Sequence, residues 1–190
     1  MSWNSVSMSE AEEEGALFLV STPIGNLSDL SKRAIEALET ADLIACEDTR
    51  RTGQLLNLIG VESKKLTRVD DHTEFKKKSK IVEKIRSGYT VVLVSDAGTP
   101  GISDPGEELV RAVIENGFNV SVIPGASSVL AALVVSGMST KRGGMEGFIP
   151  RKGKDREEIL KEITVEERTV ILFESPKRLP ATLKDLRQHL

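Results

Sequence analysis

The stretch that most constrains the fold runs from Tyr89 to Gly106 and joins an apolar segment to a loop rich in glycine and proline. Residues 89–94 are apolar and mostly β-branched, which predicts a buried strand. The next stretch, 96–106, holds three glycines, two prolines and two aspartates. Apolar residues at helical spacing follow, and they predict a helix with Asp104 as its N-cap and Pro105 in its first turn.

A buried strand, a loop and a helix in this order place the loop at the carboxyl edge of a parallel sheet. Ligands bind at that edge in open α/β sheets. A plain strand-to-helix connection needs only about two to six residues. The length and composition of the loop therefore favour a ligand-binding role, with a plain connection as the alternative.

The rest of the chain alternates between strand and helix patterns. Strands are predicted at 17–22, 42–46, 66–69, 89–94 and 119–123. Helices are predicted at 31–38, around 55–59, at 75–86, at 104–116 and from 124 to 135. This alternation is typical of an α/β fold with a mostly parallel sheet and right-handed crossovers.

The pattern changes near residues 137–144, which predicts a domain boundary there. We expect an N-terminal α/β domain over 15–138 and a partial C-terminal α/β domain over 139–190. The second part has only two predicted strands, at 145–149 and 169–173, and helices at 157–163 and from 179. Because a sheet of two strands rarely buries its faces alone, this second domain is predicted to be truncated.

Composition excludes several classes of protein. Residues 1–14 carry four glutamates and no lysine or arginine, which predicts a disordered acidic tail and not a signal peptide. No apolar run reaches the roughly 20 residues that span a bilayer. The single cysteine, Cys46, excludes an internal disulfide and a cysteine zinc cluster. We therefore expect a cytoplasmic protein without a bound metal.

Five loops are predicted to gather where the strands end, at 22–27, 46–51, 95–106, 124–128 and 147–154. Backbone N–H groups of the glycine-rich loops and two carboxylates suit a nucleoside that carries a polar amino-acid or phosphate group. Neither GxxxxGK[ST] nor GxGxxG is present, so a P-loop and the usual dinucleotide fingerprint are excluded.

Of three further features, two have both a functional and a structural interpretation. His72, beside Asp71, is either a proton acceptor or a solvated loop residue. The lysines of 76–80 are expected to form a solvated helix face. The basic residues Arg151, Lys152, Lys154 and Arg156 either bind phosphate or are merely solvated.

Six motifs occur in order: TPIGNL (22–27), ACEDTR (45–50), LVSDAGTPGISDPG (93–106), PGASS (124–128), GFIPRKGK (147–154) and FESPKRL (173–179). Together they closely resemble the bacterial 16S ribosomal RNA (cytidine-2'-O)-methyltransferases of the tetrapyrrole methylase superfamily. The resemblance runs from about Leu17 to Leu190. It implies two α/β domains, S-adenosylmethionine bound in the cleft between them, and homodimers. The family continues beyond the length of this chain.

The resemblance also implies roles for particular residues. Those expected to contact the cofactor are Asp96, Ala97, Gly98, Thr99, Pro100, Gly101, Ile102, Ser103, Asp104, Pro124, Gly125, Ala126, Ser127, Ser128, Gly147 and Phe148. Those expected on the ribosomal RNA side are Pro23, Gly25, Asn26, Arg50, Arg151, Lys152 and Lys154.

The reaction implied is transfer of a methyl group from S-adenosylmethionine to the ribose 2'-hydroxyl of a cytidine in the decoding region of the small subunit. A base must accept the hydroxyl proton. The candidates are Glu47, Asp48 and His72, and Asp96 either joins them or holds the cofactor. Two alternative functions are also consistent with the sequence. One is a methyltransferase for a tetrapyrrole or another small acceptor, and the other is a truncated, non-catalytic chain that binds cofactor or RNA only.

Overall fold

The computed structural model describes residues 15–62, 64–70 and 74–190. The predicted tail and His72 lie outside these ranges. The strands are β1 (Ala16–Val20), β2 (Leu43–Cys46), β3 (Leu66–Arg68), β4 (Thr90–Val94), β5 (Asn119–Ile123), β6 (Gly143–Phe148) and β7 (Thr169–Phe173). The helices are α1 (Lys32–Thr40), α2 (Thr49–Leu58), α3 (Glu74–Arg86), α4 (Glu107–Glu115), α5 (Ser128–Val135), α6 (Lys154–Val165) and α7 (Leu179–His189).

The described residues divide into two compact units, one ending at Ser127 and the other beginning at Ser128. The sequence placed a boundary later, between residues 138 and 139. The difference is helix α5, which groups with the second unit.

The first unit is built on a five-stranded sheet in the order β3-β2-β4-β1-β5. Every neighbouring pair is parallel. Side chains of a strand alternate between its two faces, and each face of this sheet is covered by helices. Helices α1 and α2 pack on the face that holds Phe18 and Ile44, whereas α3 and α4 pack on the face that holds Leu17 and Leu93. The result is the α/β architecture that the alternating pattern predicts.

The second unit contains helices α5 to α7 and a parallel pair of strands, β6 and β7. Its small core joins Ile149, Leu160 and Ile163, with Leu186 packed against them. Leu160 and Ile163 lie three residues apart on α6, so they share one helix face.

Four helix starts differ from the sequence predictions. Helix α5 begins at Ser128 and not at residue 124. Asp104 does not cap α4: the N-cap is Gly106, with a φ of 140° and no side-chain cap. Helix α2 begins at Thr49, inside the charged string that was predicted as loop, because the side chain of Asp48 accepts a hydrogen bond from Arg50 N–H and caps it. Helix α6 begins at Lys154, so this residue belongs to a helix and not to the preceding basic loop.

In the described part of the chain, no helix combines the length and apolar character needed to cross a membrane. Within the same residues, no cluster of histidine, cysteine, aspartate and glutamate is arranged to hold a metal ion.

Candidate functional site at the carboxyl edge of the sheet

The strand order opens a crevice along the carboxyl end of β4. Strands β1 and β2 flank β4, and they lead into α1 and α2 on one face of the sheet. Strand β4 leads into α4 on the opposite face. Neighbouring loops that leave toward opposite faces create the switch-point crevice in which open α/β sheets bind ligands.

The loop after β1 and the loop after β4 are joined by backbone hydrogen bonds. Thr22 and Gly98 form an antiparallel bridge, with N–O distances of 2.9 Å and 3.1 Å. The Thr22 hydroxyl donates to the carbonyl of Ser95 at 3.1 Å. These contacts hold the start of the DAGTPG segment against the end of β1, so the edge of the crevice is fixed by the first unit itself.

The PGASS loop, residues 124–128, contacts the end of β1 and the loop after β4. The hydroxyls of Ser21 and Thr99 lie 3.1 Å apart, and Thr99 also donates to the carbonyl of Ala126 at 3.4 Å. A Cβ on Gly125 would lie 3.0 Å from Cβ of Ser21. Glycine at this position therefore allows the close approach of the loop to β1.

Two residues of the loop between β4 and α4, Ser103 and Gly106, have positive φ angles. Gly106 has a φ of +140°, and a Cβ there would lie 2.8 Å from Cδ2 of buried Leu93. Ser103 has a φ of 56°, a left-handed conformation that is uncommon for a residue with a side chain. Such angles cost free energy and concentrate at ligand-binding loops.

Asp96 follows the carboxyl end of β4, which is Val94. Its Oδ2 accepts a hydrogen bond from Nη1 of Arg51 at 3.1 Å. Its Oδ1 is buried and has no hydrogen-bond partner among the described residues. Leaving a buried polar atom unpaired costs about 1–3 kcal/mol, so Oδ1 is poised to accept a hydrogen bond from a bound group.

The acidic residues after β2 have different surroundings. Asp48 is held by Arg50, whose Nη2 lies 2.8 Å from Oδ2. The hydrogen bonds from the Arg50 side chain and backbone keep the pKa of Asp48 well below its ordinary value. Glu47 is half-buried at the end of β2. Cys46 is buried, and this burial raises the pKa of its thiol.

The residues predicted for the RNA side are not all alike. Pro23 is half-buried, whereas Gly25, Asn26 and Arg50 are exposed. Asn26 has a local role, since its Oδ1 accepts from Ser28 N–H at 3.1 Å and caps a short helical turn, Leu27–Asp29. In the second unit, Arg151, Lys152 and Lys154 are all exposed.

The second unit places Gly147 and Phe148 at the end of β6. The Phe148 ring stacks on Phe173 of β7, with 5.4 Å between ring centroids, and Gly147 has a φ of +63° beside a register shift. Arg156, which the sequence grouped with the basic patch, is instead buried and donates to Asp185, Pro150 and Thr182.

The structure thus brings Asp96 to Asp104 together with Pro124 to Ser127 in the first unit. Sequence reasoning did not single out Ser21, Arg51 or Arg178, and it placed Arg156 in the basic patch and not in a buried network. Arg51 stands in the quoted charged string and Arg178 in the FESPKR motif, but nothing local in the sequence indicates which partner each one meets.

Comparisons with known proteins agree with this architecture. The family model of the Tetrapyrrole (Corrin/Porphyrin) Methylases matches residues 16–190. The ribosomal RNA small subunit methyltransferase I of Synechocystis sp. is 48% identical over 176 residues, which cover 93% of this chain and 63% of that protein. The Escherichia coli O157:H7 protein of the same name is 45% identical over 173 residues, covering 91% and 60%. This chain therefore spans about three fifths of the length of these relatives.

Solved structures share the fold at low sequence identity. The uroporphyrin-III-C-methyltransferase of Thermus thermophilus has a TM-score of 0.62 at 18% identity, covering 93% of this chain and 74% of that one. A diphthine synthase has a TM-score of 0.67 at 17% identity, covering 91% and 72%. With the family model matched over nearly the whole described chain, these findings show that the chain belongs to the tetrapyrrole methylase family.

Proposed function

We propose that this chain is an S-adenosylmethionine-dependent methyltransferase acting on 16S ribosomal RNA, and that the acceptor is the ribose 2'-hydroxyl of a cytidine in the decoding region. The names of the relatives at 43–48% identity support a ribosomal RNA small-subunit substrate. The family description supports methyl transfer. A cytoplasmic location and a homodimer belong to the same proposal.

The observation that carries the proposal is the buried, unpartnered Oδ1 of Asp96 in the switch-point crevice. S-adenosylmethionine carries an ammonium group and two ribose hydroxyls, and each can donate to a carboxylate oxygen. In the neighbouring loop, the N–H of Gly98 is committed to the Thr22 carbonyl, whereas an added Cβ on Gly101 would meet open space, so glycine there permits a ligand to approach the backbone closely. The Asp96 oxygen and this open stretch of loop backbone fit the cofactor.

The described residues would hold the cofactor through the segments 96–104 and 124–127, both in the first unit. The cofactor supplies a methyl group on a sulfonium, a good leaving group. The protein must then align the acceptor hydroxyl and take up its proton. The roles of Gly147 and Phe148 stay predictions.

Of the three proposed proton acceptors, Asp48 is the least suited. A carboxylate with a strongly lowered pKa is a weak base, and both oxygens of Asp48 already bind Arg50. Its role in our proposal is to start α2 and so to position Arg51. Glu47, one residue earlier at the carboxyl end of β2, is the acceptor that we favour, and His72 is the alternative.

Two other functions remain as competitors. A small acceptor such as a tetrapyrrole is compatible with this fold, since a uroporphyrin-III-C-methyltransferase shares the fold. A non-catalytic chain that binds cofactor or RNA is the second competitor. The basic 151–154 segment favours RNA over a small acceptor, because exposed cations bind phosphate.

The cofactor assignment is tested by calorimetric titration of the 190-residue chain with S-adenosylmethionine. Gly98→Arg should abolish binding because its side chain would enter the crevice beside Ile24. Gly117→Arg is the matched control, since Gly117 also has a positive φ (+79°) but faces open space. Binding retained by the Gly98 variant would contradict the assignment.

The acceptor is tested with tritiated methyl donor and small ribosomal subunits that lack the modification. We expect label in 16S RNA, in a dinucleotide resistant to alkaline cleavage, since a 2'-O-methyl group blocks that cleavage. Label in an added precorrin but not in RNA would favour the small-acceptor function. Cofactor binding without transfer to either substrate would favour the non-catalytic chain.

A further inference from the structure

The second unit contains a cavity of about 220 Å³ lined by three arginines, and the proposed function does not yet use it. Its lining residues are Arg151, Arg156, Arg178, Ala181, Thr182 and Asp185, and we call it the arginine pocket. A single water needs only about 10–15 Å³ of such space. The pocket therefore admits a polar group of several heavy atoms.

The arginine pocket lies at the carboxyl ends of both strands of the second unit. Phe148 and Phe173 are paired in the β6–β7 ladder. Arg151 follows β6 after a short turn, and Arg178 follows β7 immediately before α7. This is the edge of a parallel sheet at which α/β proteins bind ligands.

A buried network fixes the pocket wall. Arg156 is 8% exposed, and its Nε and Nη2 lie 3.0 Å and 2.8 Å from Oδ2 of Asp185. Its Nη1 donates to the carbonyl of Pro150 at 2.8 Å, and its Nη2 donates to the Thr182 hydroxyl at 3.1 Å. Arg156 thus ties the loop after β6 to helix α7 and acts as a structural clamp.

The same network continues to Arg178. The Thr182 hydroxyl donates to Oε2 of Glu174 at 2.7 Å, and Nη2 of Arg178 lies 3.2 Å from that oxygen. Nη2 of Arg178 also donates to the carbonyl of Ile149 at 2.7 Å. The Nη2 of this guanidinium is therefore held in place, while its Nε and Nη1 have no hydrogen-bond partner among the described residues.

Arg151 differs from Arg156 and Arg178, because it is exposed and makes no hydrogen bond or ion pair within the described part of the chain. Three guanidinium groups face two carboxylates, Asp185 and Glu174, so the pocket has an excess of positive charge. A guanidinium presents a planar fork of donors that matches phosphate oxygens. Arg178 therefore offers single donors, Nε and Nη1, from a fixed position, and Arg151 offers an uncommitted fork to the same cavity.

We propose that the arginine pocket binds a phosphodiester group of the RNA substrate, with Arg178 as the fixed donor and Arg151 as the donor that closes on it. This inference rests on the proposed function for the identity of the RNA. Arg156 and Thr182 are positioning residues, because they act through Arg178 and the loop and not on the phosphate.

The test is binding of a fluorescein-labelled single-stranded RNA oligonucleotide to the 190-residue chain, followed by anisotropy across a series of salt concentrations. We expect Arg151→Gln and Arg178→Gln each to weaken binding about five- to tenfold. Each should also lower the slope of log K against log salt by roughly one unit, as loss of one phosphate contact does. Arg187→Gln, on helix α7, is the matched control, since Arg187 is exposed and does not line the pocket.

Arg151→Gln leaves no buried partner unpaired, so it tests the pocket even if Arg178→Gln lowers stability. Wild-type affinity and slope in Arg151→Gln and in folded Arg178→Gln would overturn the pocket, as would a wild-type chain that does not bind RNA. If the chain methylates ribosomal RNA but neither variant changes RNA affinity, the proposed function is supported and the pocket is contradicted. If both variants lose RNA affinity as expected but the chain transfers no methyl group, the pocket is supported and the proposed function is contradicted.

Discussion

Arg51 and Asp96 form an ion pair that joins the start of α2 to the loop after β4, with 3.1 Å between Nη1 and Oδ2. The Arg51 side chain is 64% exposed, whereas that of Asp96 is 21% exposed. An ion pair of this exposure contributes at most about 1 kcal/mol to stability. Its importance is that it orients a carboxylate whose other oxygen is buried and unpartnered.

We therefore expect Asp96→Ala to reduce affinity for S-adenosylmethionine at least tenfold, since it removes the acceptor in the crevice. Arg51→Gln should reduce affinity less and change the free energy of unfolding by under about 1 kcal/mol. Calorimetry and urea unfolding check both values. Glu36→Ala on the exposed side of α1 is the control for loss of one negative charge, and equal affinities for it and Asp96→Ala would contradict the assignment.

The strained loop provides a second prediction. Gly106→Ala should destabilise the chain by roughly 2–4 kcal/mol, because the backbone angle is costly and the new Cβ would overlap Leu93. Gly117 has a φ of +79°, closer to the left-handed region that a side chain tolerates, and open surroundings, so Gly117→Ala should lose only about 1–2 kcal/mol. Urea unfolding of both variants measures the difference, and equal losses would contradict the added cost of the Gly106 backbone angle and the Leu93 contact.

Thr182→Val tests the network behind the arginine pocket. The hydrogen bond from Thr182 is the main reason that the pKa of Glu174 is lowered from its ordinary value of 4.5. The variant should raise that pKa, which carboxyl carbon NMR measures directly. It should also cost about 1–3 kcal/mol, since Arg156 and Glu174 lose a buried partner.

The pH dependence of that cost has a definite sign. A carboxylate whose pKa is lowered by folding contributes stability that is fully present above its ordinary pKa. This contribution is lost as pH falls through the folded value. The difference in unfolding free energy between the wild type and Thr182→Val should therefore be largest above about pH 5 and shrink in more acidic solution. A difference that grows on acidification would contradict the Glu174 assignment.

Cys46 gives a prediction about accessibility. Its side chain is fully buried, and burial raises the pKa of the thiol. A thiol reacts as its thiolate, so Cys46 should react with iodoacetamide at pH 8 far more slowly in the folded chain than in urea. Mass spectrometry measures the rate. Rapid alkylation under native conditions would mean that the β2 end opens readily.

Much of the first unit could be predicted because its strands have local signals. An apolar run bounded by Gly88 and Asp96 predicted β4 almost to the residue, and the strand pattern at 119–123 predicted β5. The start of α4 was wrong because Asp104 and Pro105 satisfy the local rules for a helix start. Packing instead brings Gly106 against Leu93, at a backbone angle that glycine tolerates.

The contacts that define both candidate sites could not be predicted in the same way. Arg51 and Asp96 are 45 residues apart in the chain, and Arg156 and Asp185 are 29 apart. Such pairs depend on which loops the strand order brings together. Arg156 is buried because α6 packs against α7. The residues next to Arg156 in the sequence do not indicate this packing.

The strand order also determines when the chain can begin to fold during its synthesis. The first strand, β1, has β4 and β5 as its neighbours, and Ala16 pairs with Thr90. Until residue 90 and its successors have left the ribosome, the apolar Leu17–Val20 segment has no ladder partner, and exposed segments of this kind are prone to aggregate. We expect ribosome-bound chains arrested before β4 to be cleaved by protease within β1, and chains arrested after β5 to be protected there.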